Sequence, residues 1–151
     1  MHSFLYPASF RPDLSGRPVV SFRDFPRAHT DGKDRREAME EAMDCLGSVM
    51  AELIVTKKDI PRPSAPKRGE RLVPVPLWIA AKLALYQAMR EQGVSNSELA
   101  RRLGVRETVV RRMLDPDQNT RVEKIQSALE LLGKRASVLV EDFSTALQAG
   151  A

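Results

Sequence analysis

At 151 residues the chain has room for one ordinary domain or two small ones. Its net charge of +4 permits binding to nucleic acid without requiring it, because the excess is even: 13 basic residues stand against 11 acidic ones up to Val75, and 11 against 9 after it. The single cysteine, Cys45, excludes an intrachain disulfide and a thiolate metal cluster; with neither a membrane-length apolar run nor a basic-then-apolar secretion signal, the reducing cytoplasm is the expected home.

Leu5 to Phe10 and Pro18 to Phe22 read as the strands of a hairpin, joined by the turn residues Pro12-Asp13-Leu14-Ser15-Gly16. A short extended piece at Ala28 to Thr30 leads to the turn signal Asp31-Gly32. Asp34-Arg35-Arg36-Glu37 then has the spacing of a helix cap and its reciprocal acid. Ala38, Ala42, Cys45, Leu46, Val49 and Leu53 form an apolar stripe that carries the helix to about Ile54. Cys45 lies in that stripe and so reads as a packing residue, not a nucleophile. Ile60 to Gly69 is basic and rich in proline, which predicts an extended surface loop, and Glu70 to Val75 supplies a last strand. The order strand, strand, strand, helix, strand (βββαβ) predicts a helix packed on a small, mostly antiparallel sheet.

Taken in order, Tyr6-Pro7-Ala8, Val19-Val20-Ser21-Phe22-Arg23-Asp24-Phe25-Pro26, Thr30-Asp31-Gly32, Glu37-Ala38, Ala42 through Leu46, and Ile60-Pro61-Arg62-Pro63-Ser64 resemble the HicB antitoxin domain. The match spans roughly residues 3 to 75. The resemblance implies a partial ribonuclease-H-like fold that binds and blocks a small HicA-type toxin, a ribosome-independent messenger RNA endonuclease. It also implies that a DNA-binding domain commonly follows. A toxin that holds RNA must present positive charge, which makes the helix acids Glu37, Glu40, Glu41 and Asp44 candidate toxin contacts. Their alternative is a solvated face with favourable early-helix charge. Asp24 and Phe25, at a strand end beside Pro26, are the other candidate toxin contacts, Phe25 reading equally as a hot spot or as a plug at the edge of the core.

The domain boundary is placed at Val75-Pro76, giving domains 1–75 and 76–143 and a flexible tail at 144–151. Pro76 suits a first helical position, and Ile79, Leu83, Tyr86 and Met89 give Leu77 to Gln92 an apolar face before Gly93. Asn96 to Met113 reads as two short helices joined at Gly104, which supplies the left-handed residue of a tight turn. Leu99, Leu103, Val105, Val110 and Met113 are spaced to bury one face of each helix, with the small Ala100 where the helices approach. Asp115-Pro116 breaks the second helix. Thr120-Arg121-Val122-Glu123 has capping-box spacing, and Ile125, Ala128, Leu129 and Leu132 carry a further helix to Gly133. Last, Ala136 to Glu141 alternates as a short strand able to pair across a dimer. The whole is α+β, with an all-α second domain ending in that strand.

Asn96 to Met113, with five arginines against two glutamates, resembles the Cro/repressor class of helix-turn-helix domains. This resemblance implies a second helix that enters the major groove of operator DNA. Glu107, Thr108 and Arg111 are the candidate base readers, Arg106 and Arg112 serve base or phosphate, and Asn96, Ser97 and Arg102 are candidate phosphate contacts. Arg106 stands where that class often has Ser or Thr, so no side-chain cap is expected there. A palindromic operator calls for a homodimer or a higher homo-oligomer.

The strand cores offer almost no carboxylates. Asp13 and Asp31 sit at turns, Asp24 ends a strand, Asp34 reads as a cap, and His29 near a turn has no partner evident in sequence. No two-metal nuclease centre, catalytic residue or cofactor is therefore expected. The rival reading is a helix-turn-helix transcription regulator whose N-terminal domain senses a ligand or only dimerises.

Overall fold

The computed structural model describes residues 1–144. In chain order it contains β1 (Leu5–Pro12), β2 (Pro18–Phe22), β3 (Phe25–Asp31), α1 (Arg35–Val55), β4 (Glu70–Pro74), α2 (Leu77–Gln92), α3 (Asn96–Leu103), α4 (Glu107–Leu114) and α5 (Val122–Leu131). The βββαβ succession followed by helices is the α+β arrangement expected. By proximity the residues form two compact units, one of Met1–Val49 with Pro61–Pro76 and the described residues from Leu139 on, the other of Met50–Ile60 with Leu77–Val138.

In the first unit the strands lie in the order β3-β2-β1-β4, every neighbouring pair antiparallel. The register sets Tyr6 opposite Val73 and Ala8 opposite both Phe22 and Arg71. Because side chains alternate along a strand, this pairing gathers Tyr6, Ala8, Val20, Phe22 and Val73 into the buried interior. Ala38, Met39, Ala42 and Leu46 of α1 are buried with them. The buried stripe of α1 is therefore rotated from the predicted one: Met39 is inside, while Cys45 and Val49 are only half-buried. Two strands outrun their apolar pattern because ladder bonds extend them. In β1, Arg11 and Pro12 pair with Val19 and Pro18, and β3 begins at Phe25.

Local polar contacts close the turns. The Asp13 carboxylate accepts from Ser15 Oγ at 2.7 Å, Ser15 N at 2.8 Å and Arg17 N at 2.9 Å, and these bonds hold its carboxyl below the usual range. At the start of α1, Asp34 Oδ1 accepts from Glu37 N at 2.9 Å, and the Glu37 carboxylate accepts from the backbone of Lys33. This is the expected reciprocal cap, displaced by one residue on its return leg.

The second unit has its own apolar core: Leu85, Ala88 and Met89 of α2, Leu99 and Ala100 of α3, Val110 and Met113 of α4, and Ile125, Ala128, Leu129 and Leu132 in and beside α5. Gly104, at φ 68° and ψ 31°, ends α3 in the left-handed conformation and turns the chain into α4. Two expectations need correction here. Val105 is 40% exposed, because it follows the left-handed Gly104 in the turn, outside both α3 and α4, and so belongs to the apolar face of neither helix. The stretch from Ala136 to Glu141 is not a strand; a lone edge has no ladder partner in one chain, and Leu139 and Val140 stand 87% and 86% exposed. Of the expected flexible tail, residues 145–151 lie outside the described residues.

Candidate functional site

The α3–turn–α4 segment carries the arginine cluster. Ser95 caps α3, its Oγ accepting from Glu98 N at 3.1 Å. Asn96 and Ser97 follow in the first turn, Ser97 exposed and Asn96 half-buried. Glu98 accepts two bonds from Arg101, at 3.0 and 2.7 Å, and one from Arg102 Nε at 2.8 Å. Those two guanidinium groups, Arg101 first, hold the Glu98 carboxyl at about 2. Arg102 is thus anchored through Nε, while its terminal nitrogens make no hydrogen bond among the described residues.

Arg106 occupies the cap position of α4 in an extended conformation and makes no side-chain cap bond, as its type leads one to expect. Glu107 and Arg111, four apart and so neighbours on the helix, form an ion pair at 2.6 Å. They act as a pair, not as two independent groups. Thr108 and Arg112 are exposed on the same short helix, and neither Arg106 nor Arg112 has an ion pair among the described residues.

One residue of this unit escapes sequence reasoning. Lys82 of α2 is 2% exposed, and its ammonium donates to Met113 O at 3.0 Å, Thr120 Oγ1 at 3.0 Å and Arg112 O at 3.3 Å. Burial pushes its pKa down. The signal was present, since Lys82 stands three residues after Ile79 and four before Tyr86, on the apolar face of α2. It also explains a failed expectation: Thr120 is not the cap of α5. Its hydroxyl donates to Arg112 O at 3.3 Å, and Arg121 takes the cap position without a side-chain bond.

The other candidates lie in the first unit and are not brought to one place by shared bonds. Asp24 Oδ2 accepts from Ser64 N at 2.9 Å and Oδ1 from Ser64 Oγ at 2.5 Å, which ties the proline-rich loop to the end of β2. Phe25 is 8% exposed, with its ring 5.0 Å from that of Tyr6, so it plugs the core edge. Glu37 is used in the cap and Glu40 pairs with Arg36 at 3.2 Å, whereas Glu41 and Asp44 are exposed with no ion pair among the described residues. The Cys45 thiol is raised in pKa by burial, which disfavours the reactive thiolate. His29 Nδ1 lies 3.3 Å from Ser21 Oγ. Among the described residues no group of three or more His, Cys, Asp or Glu side chains is placed to hold a metal ion, and no helix is long and apolar enough to cross a membrane.

Comparison with known proteins adds the following. Residues 5–84 match the family model described as the HicB-like antitoxin of bacterial toxin-antitoxin systems. The chain is 37% identical over 134 residues to Antitoxin HicB 2 of Photorhabdus laumondii, covering 89% of this chain and 94% of that one. It is 33% identical over 135 residues to Antitoxin HicB of Escherichia coli K12, covering 89% and 98%. With Antitoxin HicB of Pseudomonas fluorescens the identity is 32% over 127 residues, covering 83% and 87%.

Proposed function

The chain belongs to the HicB-like antitoxin family, and from that premise we propose that it binds and inhibits a HicA-type messenger RNA endonuclease and represses its own operon by binding operator DNA. The single observation that carries the antitoxin reading is the likeness to HicB antitoxins over most of both chains. The toxin is inhibited by being covered, so the antitoxin is not an enzyme and needs no cofactor. Glu41 and Asp44 are the first residues to test at that interface, since they are exposed and have no ion pair among the described residues, leaving their negative charge to meet a surface built to hold RNA. Glu37 and Glu40 add to the same field from within their own helix contacts. Asp24 and Phe25 contribute at their own place, by fixing the loop and the sheet edge.

The DNA-reading half rests on the exposed arginines of α4 and on the turn at Gly104 that presents it. Residues 76–143 serve as a helix-turn-helix domain whose α4 enters the major groove, with Thr108 and the Glu107–Arg111 pair on base edges and Arg106 and Arg112 on base or phosphate. Asn96, Ser97 and Arg102 meet the backbone. A homodimer or higher oligomer places two such helices about one DNA turn, roughly 34–36 Å, apart. Toxin and operator both lie in the bacterial cytoplasm.

The test has two arms. Co-expression with the toxin from the neighbouring small gene restores growth, and the purified chain retards a duplex from upstream of its own gene more strongly than a shuffled duplex. Growth arrest that persists with soluble antitoxin present sinks the first half, and equal retardation of both duplexes sinks the second.

A further inference from the structure

We propose that Lys82 is the positioning residue that sets the reading helix α4 in its DNA-binding pose, an inference that rests on the reading of α4 as the DNA-contacting helix. An eight-residue helix has little stability of its own and takes its orientation from whatever holds its ends. The N-terminal end of α4 is weakly held, for Arg106 supplies no side-chain cap. Its last turn, by contrast, is held at three of its four terminal carbonyls. Arg111 O accepts from Asp115 N at 3.1 Å, Arg112 O from Lys82 Nζ and from Thr120 Oγ1, both at 3.3 Å, and Met113 O from Lys82 Nζ at 3.0 Å.

The chemistry matches lysine and no other side chain. An ammonium has three N–H donors, and three oxygens meet it, the third being Thr120 Oγ1 at 3.0 Å. A positive charge at a helix C-terminus is favoured by the helix dipole, and a buried ammonium whose donors are all used is spared the cost of burying an unpaired charge. Arginine would bring a planar fork of five donors to a pocket with three acceptors, and methionine would fill the volume with no donor at all. Lys82 thus ties the rigid α2 to the last turn of α4, and Thr120 extends the same network to the loop before α5. Loss of the ammonium frees the α4 carbonyls and lets the helix shift against its core residues Val110 and Met113. The consequence is specific: bidentate base contacts tolerate little displacement, whereas phosphate contacts, carried by long flexible arginines, tolerate it readily.

The experiment compares full-length wild type, Lys82→Met and Thr120→Val by fluorescence anisotropy on two probes, a duplex from immediately upstream of the chain's own gene and a shuffled duplex of the same composition. Amide hydrogen exchange of Glu107–Leu114 is followed in parallel. The expected result is a tenfold or greater loss of affinity for the upstream duplex in Lys82→Met, at most a twofold change on the shuffled one, and faster exchange in α4 than in α5. Thr120→Val, a milder change that keeps the ammonium, shows the same pattern at about two- to fivefold and serves as the test if Lys82→Met does not fold. Equal loss on both probes, or an unchanged preference in the folded variants, overturns the role of Lys82. A wild type that does not distinguish the duplexes refutes the DNA-reading function itself, whatever the exchange data show.

Discussion

Replacing Gly104 by alanine isolates the conformational cost of the turn between α3 and α4. A Cβ built there meets no heavy atom within 4 Å, so sterics with the rest of the molecule contribute nothing. What remains is backbone. At φ 68° and ψ 31° an L-residue with a Cβ is disfavoured by roughly 1–2 kcal/mol, and the reduced entropy of the unfolded chain returns about 0.4–1 kcal/mol. The net loss is about 1 kcal/mol. With a urea slope of order 2 kcal/mol per molar, the unfolding midpoint of the helical transition falls by about 0.5 M. Asparagine, which tolerates this conformation, falls between glycine and alanine. Gly32 is the control with the opposite cause, because its Cβ would lie 2.3 Å from Ala38 N and 2.7 Å from Ala38 Cα, a clash with backbone that cannot rotate away. Circular dichroism at 222 nm during urea unfolding measures both. A Gly104→Ala loss as large as that of Gly32→Ala, or an asparagine variant no better than alanine, refutes the reasoning.

Three further outcomes are expected. Glu98 titrates near pH 2 and not near its ordinary 4.5, so its contribution to α3 is complete above the ordinary carboxylate range and is lost as the pH falls through about 2; carbon-13 NMR of the side chain reads this, and a midpoint near 4.5 contradicts the pairing with Arg101 and Arg102. Phe25→Ala costs about 3 kcal/mol of stability by chemical denaturation, as befits a buried ring against Tyr6, while a change under about 1 kcal/mol returns Phe25 to the role of surface contact. Arg111→Ala weakens binding to the upstream duplex by roughly 1–3 kcal/mol in anisotropy titrations if it reads a base, and an equal loss on shuffled DNA makes it a phosphate contact.

Periodicity and punctuation located the elements well where local chemistry decides them. Leu77 to Gln92, bounded by Pro76 and Gly93, is the observed α2 to the residue, and Gly104 has the positive φ that its place between two amphipathic stretches demanded. Strand ends were less visible, since Arg11, Pro12 and Phe25 join the sheet through ladder bonds to β2 that no apolar alternation records. Side-chain roles were the least visible. Thr120 satisfies the capping-box spacing, yet the buried Lys82 captures its hydroxyl, and a competition between two acceptable partners is decided in three dimensions. Asp24 and Glu107 read as free to meet a partner, but Ser64 and Arg111 already hold them. Residues 136–141 alternate in apolar character, but alternation without a ladder partner does not make a strand.

Capture of a toxin by this chain is the property on which its antitoxin role depends. The measurement is purification of the tagged full-length chain after co-expression with the toxin from the neighbouring small gene, followed by light scattering on the eluted species. A complex containing both proteins in fixed ratio, heavier than the chain purified alone, is the predicted result. Elution of the chain without the toxin, from cells that remain poisoned, would contradict it and favour the rival reading of a transcription regulator whose N-terminal domain serves another purpose.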